Sequence, residues 1–443
     1  MDGSMSLLRI ALEDACQEDD CPICYVLWHR EQDWLEMFLR ERGADPGMAK
    51  LMRDSLGPCR HHAWAIAQRE DLEGPLALVF VYDALLDYLV DSRQGGRGPF
   101  SRQSDPAGHL CRCLSKVTPG DHCPACVARL HNEDACIREF VRAMADDEMV
   151  RIYDASAGLC DVHLQRVLLE AQPTVKLHLL NAHMARLASV LTGLQHMERT
   201  SDFGDTEAVR RAVMLLVGRD QYAAQGEQPR RRSSEDAGLC VLCTAEQRAA
   251  RDYLSELWQV KLTADMRPAW LCTQHAWEYE RMAEERGVTK SFLGWLNAAV
   301  ASVASRSGVD GDEAQVAVAA KPAPFGWLRQ RQLVAAPQAR RCPACAAMSA
   351  AAHVRTARLA EETVYFDICL RHASLIIQTL PERPPKLLGG LLAQLAQLHH
   401  DLQEYIRTRN WDYRLERTRA NQHSWRRAIE LFVGHEDRTE VGV

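Results

Sequence analysis

Sixteen cysteines stand in this 443-residue chain, and twelve of them recur in one order and spacing. Cys21 and Cys24 form a Cys-x-x-Cys pair, followed by Cys59 and His62 as a Cys-x-x-His pair. Cys123 and Cys126 are followed in the same way by Cys160 and His163, Cys240 and Cys243 by Cys272 and His275, and Cys342 and Cys345 by Cys369 and His372. Three thiolates and one imidazole are a common closed set for structural zinc, which favours a tetrahedron of sulfur and nitrogen. The reading is therefore four zinc ions per chain, each held by a Cys-x-x-Cys pair and the Cys-x-x-His pair that follows it. Exchange of pairs between modules is the alternative that sequence order leaves open. An iron–sulfur cluster is the competing metal group, but Cys3His ligation is less usual for it than four cysteines.

Each pair has a physical reason for its spacing. Proline after the first cysteine, at Pro22, Pro124 and Pro343, fixes one backbone angle and favours a tight turn that gathers two sulfurs. Val241 stands there in the third module, so proline is dispensable. Cys-x-x-His suits the first turn of a helix, where residues three apart share a face and the helix N-terminus favours the thiolate. Structural zinc supplies roughly 10–16 kcal/mol of apparent binding free energy, against about 5–15 kcal/mol of net stability for a whole domain. Loss of one ion should then unfold its module. His61 offers a second ligand in module one, but the shared spacing and the common His-Ala-Trp of His62–Trp64 and His275–Trp277 select His62.

A longer period lies above the modules. Cys21 and Cys240 are 219 residues apart, as are Cys123 and Cys342. The stretch Arg210–Gly218 aligns without a gap on Arg426–Gly434. The chain reads as an internal duplication, with residues 1–220 as a first half, 221–238 as a polar linker and 239–443 as a second half. Arg230–Arg232 in the linker read as solvated residues, with contact to an acidic partner as the alternative. Two further loops, 91–108 and 304–325, occupy matching places and carry Pro99-Phe100 and Pro324-Phe325.

Between ligands the periodicity is helical. Leu27, Trp28, Trp34, Leu35, Phe38 and Leu39 recur at three- and four-residue spacing in Tyr25–Arg40. Further helices are expected at Leu164–Glu170 and Ala276–Glu284 and at Leu76–Val90, Leu177–Leu194, Ser291–Ala304 and Leu387–Arg407. No segment carries clear strand alternation or hairpin turns. The expected fold is all-α, helical zinc-binding modules in two duplicated halves with little or no sheet.

Composition narrows the function. A net charge of −7 weighs against a general nucleic-acid binder. The N-terminal twenty residues lack the basic and apolar parts of a signal peptide. The most apolar stretch, Pro75–Val90, is too short to span a bilayer and contains Asp83 and Asp87. A cytoplasmic protein is expected, and in a reducing cytosol cysteines are metal ligands or buried thiols rather than disulfides. Cys16, Cys111, Cys113 and Cys136 stand outside the pattern; Cys111 and Cys113 read as ordinary loop or helix cysteines, with a redox pair or partial metal site as the alternative. The tryptophans near the pairs read as packing around the sites, and His399, His400 and His423 as surface or interhelix residues. The HExxH, P-loop, dinucleotide-binding and Gly-x-Ser-x-Gly signatures are absent, and fully ligated zinc lacks the open position that catalysis needs.

The motifs Cys123–Cys126 and Cys160–His163, with Trp425–Gly434 and its partner Arg210–Gly218, resemble a bacterial family of unknown function built on CPxC followed by Cys-x-x-His. The resemblance implies paired zinc modules on a helical scaffold and brings no activity. The expectation is a non-enzymatic, zinc-stabilised scaffold or adaptor that binds a protein partner or assembles with further copies. A redox-responsive zinc-thiolate switch and a zinc-module nucleic-acid regulator are the alternatives.

Overall fold

The apolar periodicity becomes helix throughout the described residues of the computed structural model, which are 6–42, 45–69, 76–90, 105–200, 206–220, 240–259, 270–287, 289–307, 342–361, 368–379 and 385–435. Among them there is no strand. The linker 221–238, with Arg230–Arg232, lies outside the described residues, as do Pro99-Phe100, Pro324-Phe325 and most of the two loops that contain them.

In chain order the helices are α1 (Leu7–Ala15), α2 (Pro22–Met37), α3 (Pro46–Asp54), α4 (Arg60–Ala67), α5 (Leu76–Val90), α6 (Pro106–Lys116), α7 (Pro124–Ala143), α8 (Asp147–Ala155), α9 (Asp161–Glu170) and α10 (Pro173–Thr200). They continue with α11 (Thr206–Val217), α12 (Val241–Leu257), α13 (Thr273–Glu285), α14 (Thr289–Ser307), α15 (Pro343–Glu361), α16 (Leu370–Thr379), α17 (Pro385–Arg407), α18 (Arg419–Gln422) and α19 (Ser424–Val433). A π-helical turn, Phe38–Arg42, prolongs α2. The seven expected helices are all present. Short helices α1, α3, α6 and α8 were not signalled by long apolar periodicity; their starts are set by side-chain caps. Asp45 and Asp105 accept backbone N–H bonds ahead of Pro46 and Pro106, and Ser6 and Asp146 do the same for α1 and α8.

The sequence halves are not the packing units. The chain divides into one unit of Met1–Tyr25, Cys136–Gln221 and Ala250–Ala347, and another of Val26–Ala135, Tyr222–Ala249 and Met348–Val443. Each draws on both sequence halves. In the first, α10 packs along α14 and α11, and α11 packs on α13. Tyr279, Phe292 and Trp295 form an aromatic cluster in its core, with ring centroids 5.1–5.7 Å apart. In the second, α17 packs along α5, α6 and α19, and α19 packs on α4. The two units therefore repeat one arrangement, in which a Cys-x-x-His helix from one half, α13 or α4, meets the helix of the matched Arg-Arg-Ala stretch from the other, α11 or α19.

The apolar stretch Leu76–Val90 is the buried helix α5. Leu78, Val79, Val81, Tyr82, Leu85, Leu86 and Leu89 are covered by neighbours, and Tyr82 meets Phe432 at 4.8 Å. Among the described residues no helix is long and apolar enough to cross a membrane. Asp83 leaves the α5 core to pair with His399 Nε2 of α17 at 3.2 Å, so His399 is an interhelix residue. The Asp83 contact raises the His399 pKa, against a smaller opposing effect of burial. A raised histidine pKa stabilises the fold below the unfolded value of about 6.5, and the contribution is lost as pH rises through the folded pKa. His399→Gln is therefore expected to cost up to about 1 kcal/mol at pH 6, with the deficit closing by pH 9. Urea titrations of the two proteins at both pH values check this.

Candidate metal centres

All eight ligand pairs open helices. The carbonyls of Cys59, Cys160, Cys272 and Cys369 accept the first-turn N–H of Ala63, Leu164, Ala276 and Ala373 at 2.8–2.9 Å. Those of Cys21, Cys123, Cys240 and Cys342 accept from Tyr25, Val127, Thr244 and Ala346 at 2.9–3.1 Å. The Cys-Pro-x-Cys pair is thus a helical first turn with proline at its first position, not an independent tight turn. Proline suits that position because its missing N–H would have no helical partner, and Val241 serves because the helix forms regardless. Sulfur then sits where orphaned N–H groups and the positive end of the helix dipole favour the thiolate.

The sixteen ligands gather into four clusters, but with a different pairing from the sequential one. Site A is Cys21, Cys24, Cys160 and His163; site B is Cys59, His62, Cys123 and Cys126; site C is Cys240, Cys243, Cys369 and His372; site D is Cys272, His275, Cys342 and Cys345. Ligation within a module is thereby corrected to exchange between the two modules of each half. The reason is helix length. A 16-residue α2 carries the chain about 24 Å along its axis from the sulfurs that open it, and a 20-residue α7 about 30 Å. The next Cys-x-x-His is delivered elsewhere. The chain leaves site A along α2 to complete site B, and leaves site B along α7 to complete site A. Sites A and D belong to the first unit and sites B and C to the second.

Within each cluster one histidine turns Nδ1 to three sulfurs. The distances are 3.2–3.5 Å at site A, 3.2–3.6 Å at site B, 3.3, 3.4 and 3.2 Å at site C and 3.2–3.4 Å at site D. Sulfur pairs lie 3.6–3.9 Å apart at Cys24–Cys160, Cys59–Cys126, Cys243–Cys369 and Cys272–Cys345, far beyond the disulfide bond length of about 2.0 Å. Four donors converging in this way fit one four-coordinate metal ion per cluster. Burial opposes protonation of His372 and His275, yet the sulfurs of their own clusters pull them up to about 11 and about 10. Protons and a metal ion compete for the same atoms, so acid weakens metal binding.

His62 faces the sulfurs, while His61 Nε2 lies 2.9 Å from Glu31. Glu31 also approaches His62 Nε2 at 3.4 Å, and Glu246 approaches His372 Nε2 at 3.2 Å. Burial pushes both carboxyls up, but the histidines outweigh it and hold them below the usual carboxylate range. The trio Glu31, His61 and His62 shares its central imidazole with site B, which places Glu31 as an outer carboxylate beside the ring. These two glutamates were not singled out by the spacing of cysteines and histidines. No local spacing marks them, since Glu31 reaches His62 and Glu246 reaches His372 across the chain.

The matched tails find their purpose here. Gly218 and Gly434 have φ of +81° and +86°, a region that penalises a side chain. A Cβ on Gly218 would lie 2.9 Å from Cys24 Sγ and 3.3 Å from Cys160 Sγ, and one on Gly434 would meet Cys243 and Cys369. Backbone thus lies directly on the sulfurs of sites A and C. Trp277 Nε1 donates to the Gly218 carbonyl at 2.9 Å and Trp64 Nε1 to that of Gly434 at 3.2 Å. The shared His-Ala-Trp and the shared terminal glycine are two halves of one contact. Thr273 Oγ1 adds a bond to the Val217 carbonyl, and Arg60 Nε one to that of Val433. The next residue reaches the first cysteine. Asp20, paired with Arg219, accepts the Cys21 N–H, whereas His435 Nε2 accepts the Cys240 N–H directly.

The remaining cysteines join no cluster among the described residues. Cys16 and Cys136 are buried, and burial pushes the Cys16 thiol up to about 12. Cys111 is buried in α6, while Cys113 lies 3.7 Å from His109 Nε2 and 3.8 Å from the Tyr88 hydroxyl. Burial raises the Cys113 pKa too, which makes it a poor thiolate.

The fold and sites define an all-α protein with four Cys3His clusters that fit metal ions. No protein-family model, curated protein or solved structure matches the chain.

Two outcomes follow from the geometry. Serine at both Cys21 and Cys160 should remove one bound ion per chain directly, whereas serine at both Cys21 and Cys59 should remove two; sequential pairing demands the reverse, and elemental analysis decides. Glu246→Ala should weaken site C about 10–100-fold, leaving site A unchanged, as read by competition with a chelator.

Proposed function

We propose that the protein is a zinc-stabilised helical scaffold or adaptor whose four ions are structural and whose helical surfaces bind a protein partner or further copies of the chain. The observation that carries the zinc reading is the set of edge lengths. A tetrahedral ion with sulfur at about 2.3 Å and nitrogen at about 2.0–2.1 Å separates sulfurs by about 3.8 Å and sulfur from nitrogen by about 3.5 Å. Each of the four clusters has one sulfur–sulfur edge of 3.6–3.9 Å and three sulfur–nitrogen edges of 3.2–3.6 Å, with all four donor atoms within 4.8 Å of one another. Cys3His is also a donor set that zinc commonly takes, and all four corners come from protein, which suits a fastening rather than a hydrolytic centre.

The role as a scaffold draws on the same closed sites and on the 219-residue sequence repeat. We read the chain as an internally duplicated relative of the bacterial CPxC…Cys-x-x-His family. A redox-responsive role is the second reading, favoured by the exposure of Cys126 and Cys345.

Elemental analysis of the native protein is expected to give four zinc ions per chain and no iron; two or fewer zinc ions overturn the four-site reading. Native purification followed by light scattering is expected to find the chain in a complex of fixed stoichiometry. A free monomer at native concentration counts against the scaffold role.

A further inference from the structure

The four clusters are not equally sealed. Every ligand of site C is buried, and at site A only Cys24 is partly accessible. Sites B and D each have one exposed corner, Cys126 and Cys345, beside one half-buried sulfur, Cys59 and Cys272. The asymmetry has a structural cause. The positive-φ glycines at the ends of α11 and α19 lie on the sulfurs of sites A and C. Site C has a further protection, since Arg60 Nη2 donates to Cys243 Sγ at 3.3 Å and the guanidinium neighbours Glu246. A thiolate that accepts a cationic hydrogen bond has less electron density to give to an electrophile.

We propose that Cys126 and Cys345 are oxidation sites for small hydroperoxides, with Cys59 and Cys272 as the thiolates that complete a disulfide. The proposal rests on the zinc reading above. The Cys126 thiolate attacks one peroxide oxygen; an S–O bond forms as the O–O bond breaks, and the alkoxide leaves and takes a proton to become the alcohol, or water from hydrogen peroxide. Cys59 Sγ, 3.6 Å away, then attacks the sulfenic sulfur, and the hydroxide that leaves is protonated to water. Two thiolates, one hydroperoxide and two protons give one disulfide, one alcohol and one water, with two electrons passing from sulfur to the O–O bond. Cys345 and Cys272, 3.8 Å apart, undergo the same sequence. Each disulfide removes two of four ligands, so sites B and D release their ions. Cys24–Cys160 and Cys243–Cys369 have similar sulfur separations, 3.9 and 3.8 Å. Access, not spacing, sets the order.

The loss would pass on to the sealed sites. Helix α4 opens with ligands of site B and also carries Arg60 and Trp64, which hold the end of α19 over site C. Helix α13 does the same between sites D and A through Thr273 and Trp277.

The test uses the full metal-loaded chain, whose zinc content is measured first. Hydrogen peroxide is added in steps, released zinc is followed with a chromophoric chelator, and thiols are mapped by alkylation and mass spectrometry. Two of the four ions are expected in a first phase, with Cys59–Cys126 and Cys272–Cys345 as the first disulfides. Reduction and added zinc should restore four ions. Release of all four together, first disulfides at Cys24–Cys160 or Cys243–Cys369, or no release until the helices melt would each overturn the proposal while leaving the zinc reading intact. A chain that holds no zinc at the outset would overturn the zinc reading itself.

Discussion

Three thiolates cannot be brought to one buried point unless their charge is answered. Here helix N-termini surround each such point, and the four donors leave room for a metal ion at the centre to complete the answer. Each cluster sits where two helices begin, so eight helix starts converge on four points. The orphaned N–H groups and dipoles at those starts favour anionic sulfur. The helices gain in return fixed positions for their first turns, which few of them could obtain from intrinsic propensity at lengths of 8 to 20 residues.

From that constraint the remaining architecture follows. A helix that begins at one cluster must end away from it, so each cluster is completed by chain arriving from another module. The closing helices α11 and α19 bring a glycine against the sulfurs of sites A and C, and an indole from the Cys-x-x-His helix of the opposite sequence half holds that glycine in place. One contact therefore ties a sealed site to a less sealed one within each unit. The Cys3His clusters and the apolar cores are continuous. Cys123, Cys240, Cys243 and Cys369 pack in the same core as Leu85 and Phe432, and Cys342 packs with Trp295 and Leu296.

Much of this was legible before any coordinates. The long helices were visible in their apolar spacing because a buried stripe must repeat every three or four residues, and α5 emerged with the expected bounds, Leu76–Val90. Short capped helices such as α3 and α8 were not visible, since one cap and two buried side chains make too weak a pattern. The choice of His62 over His61 was also readable, because only one spacing repeats. Glu31, Glu246 and Arg60 were not, because their contacts with ligands are made across the chain.

The sequence by itself determined which atoms offer themselves as metal ligands and which turns hold them. A Cys-x-x-Cys or Cys-x-x-His pair is a local device, complete within one helical turn, and its spacing is its geometry. Only the tertiary structure decided which pair meets which, which sites are sealed and which halves of the chain share a unit. Those depend on where helices of 16 or 20 residues deliver their far ends and on what backbone then lies over the sulfur. His-Ala-Trp and the terminal glycine repeat in both halves as separate motifs. That Trp64 seeks Gly434 and Trp277 seeks Gly218 is a matter of packing between residues 370 and 59 positions apart, and no local spacing encodes it.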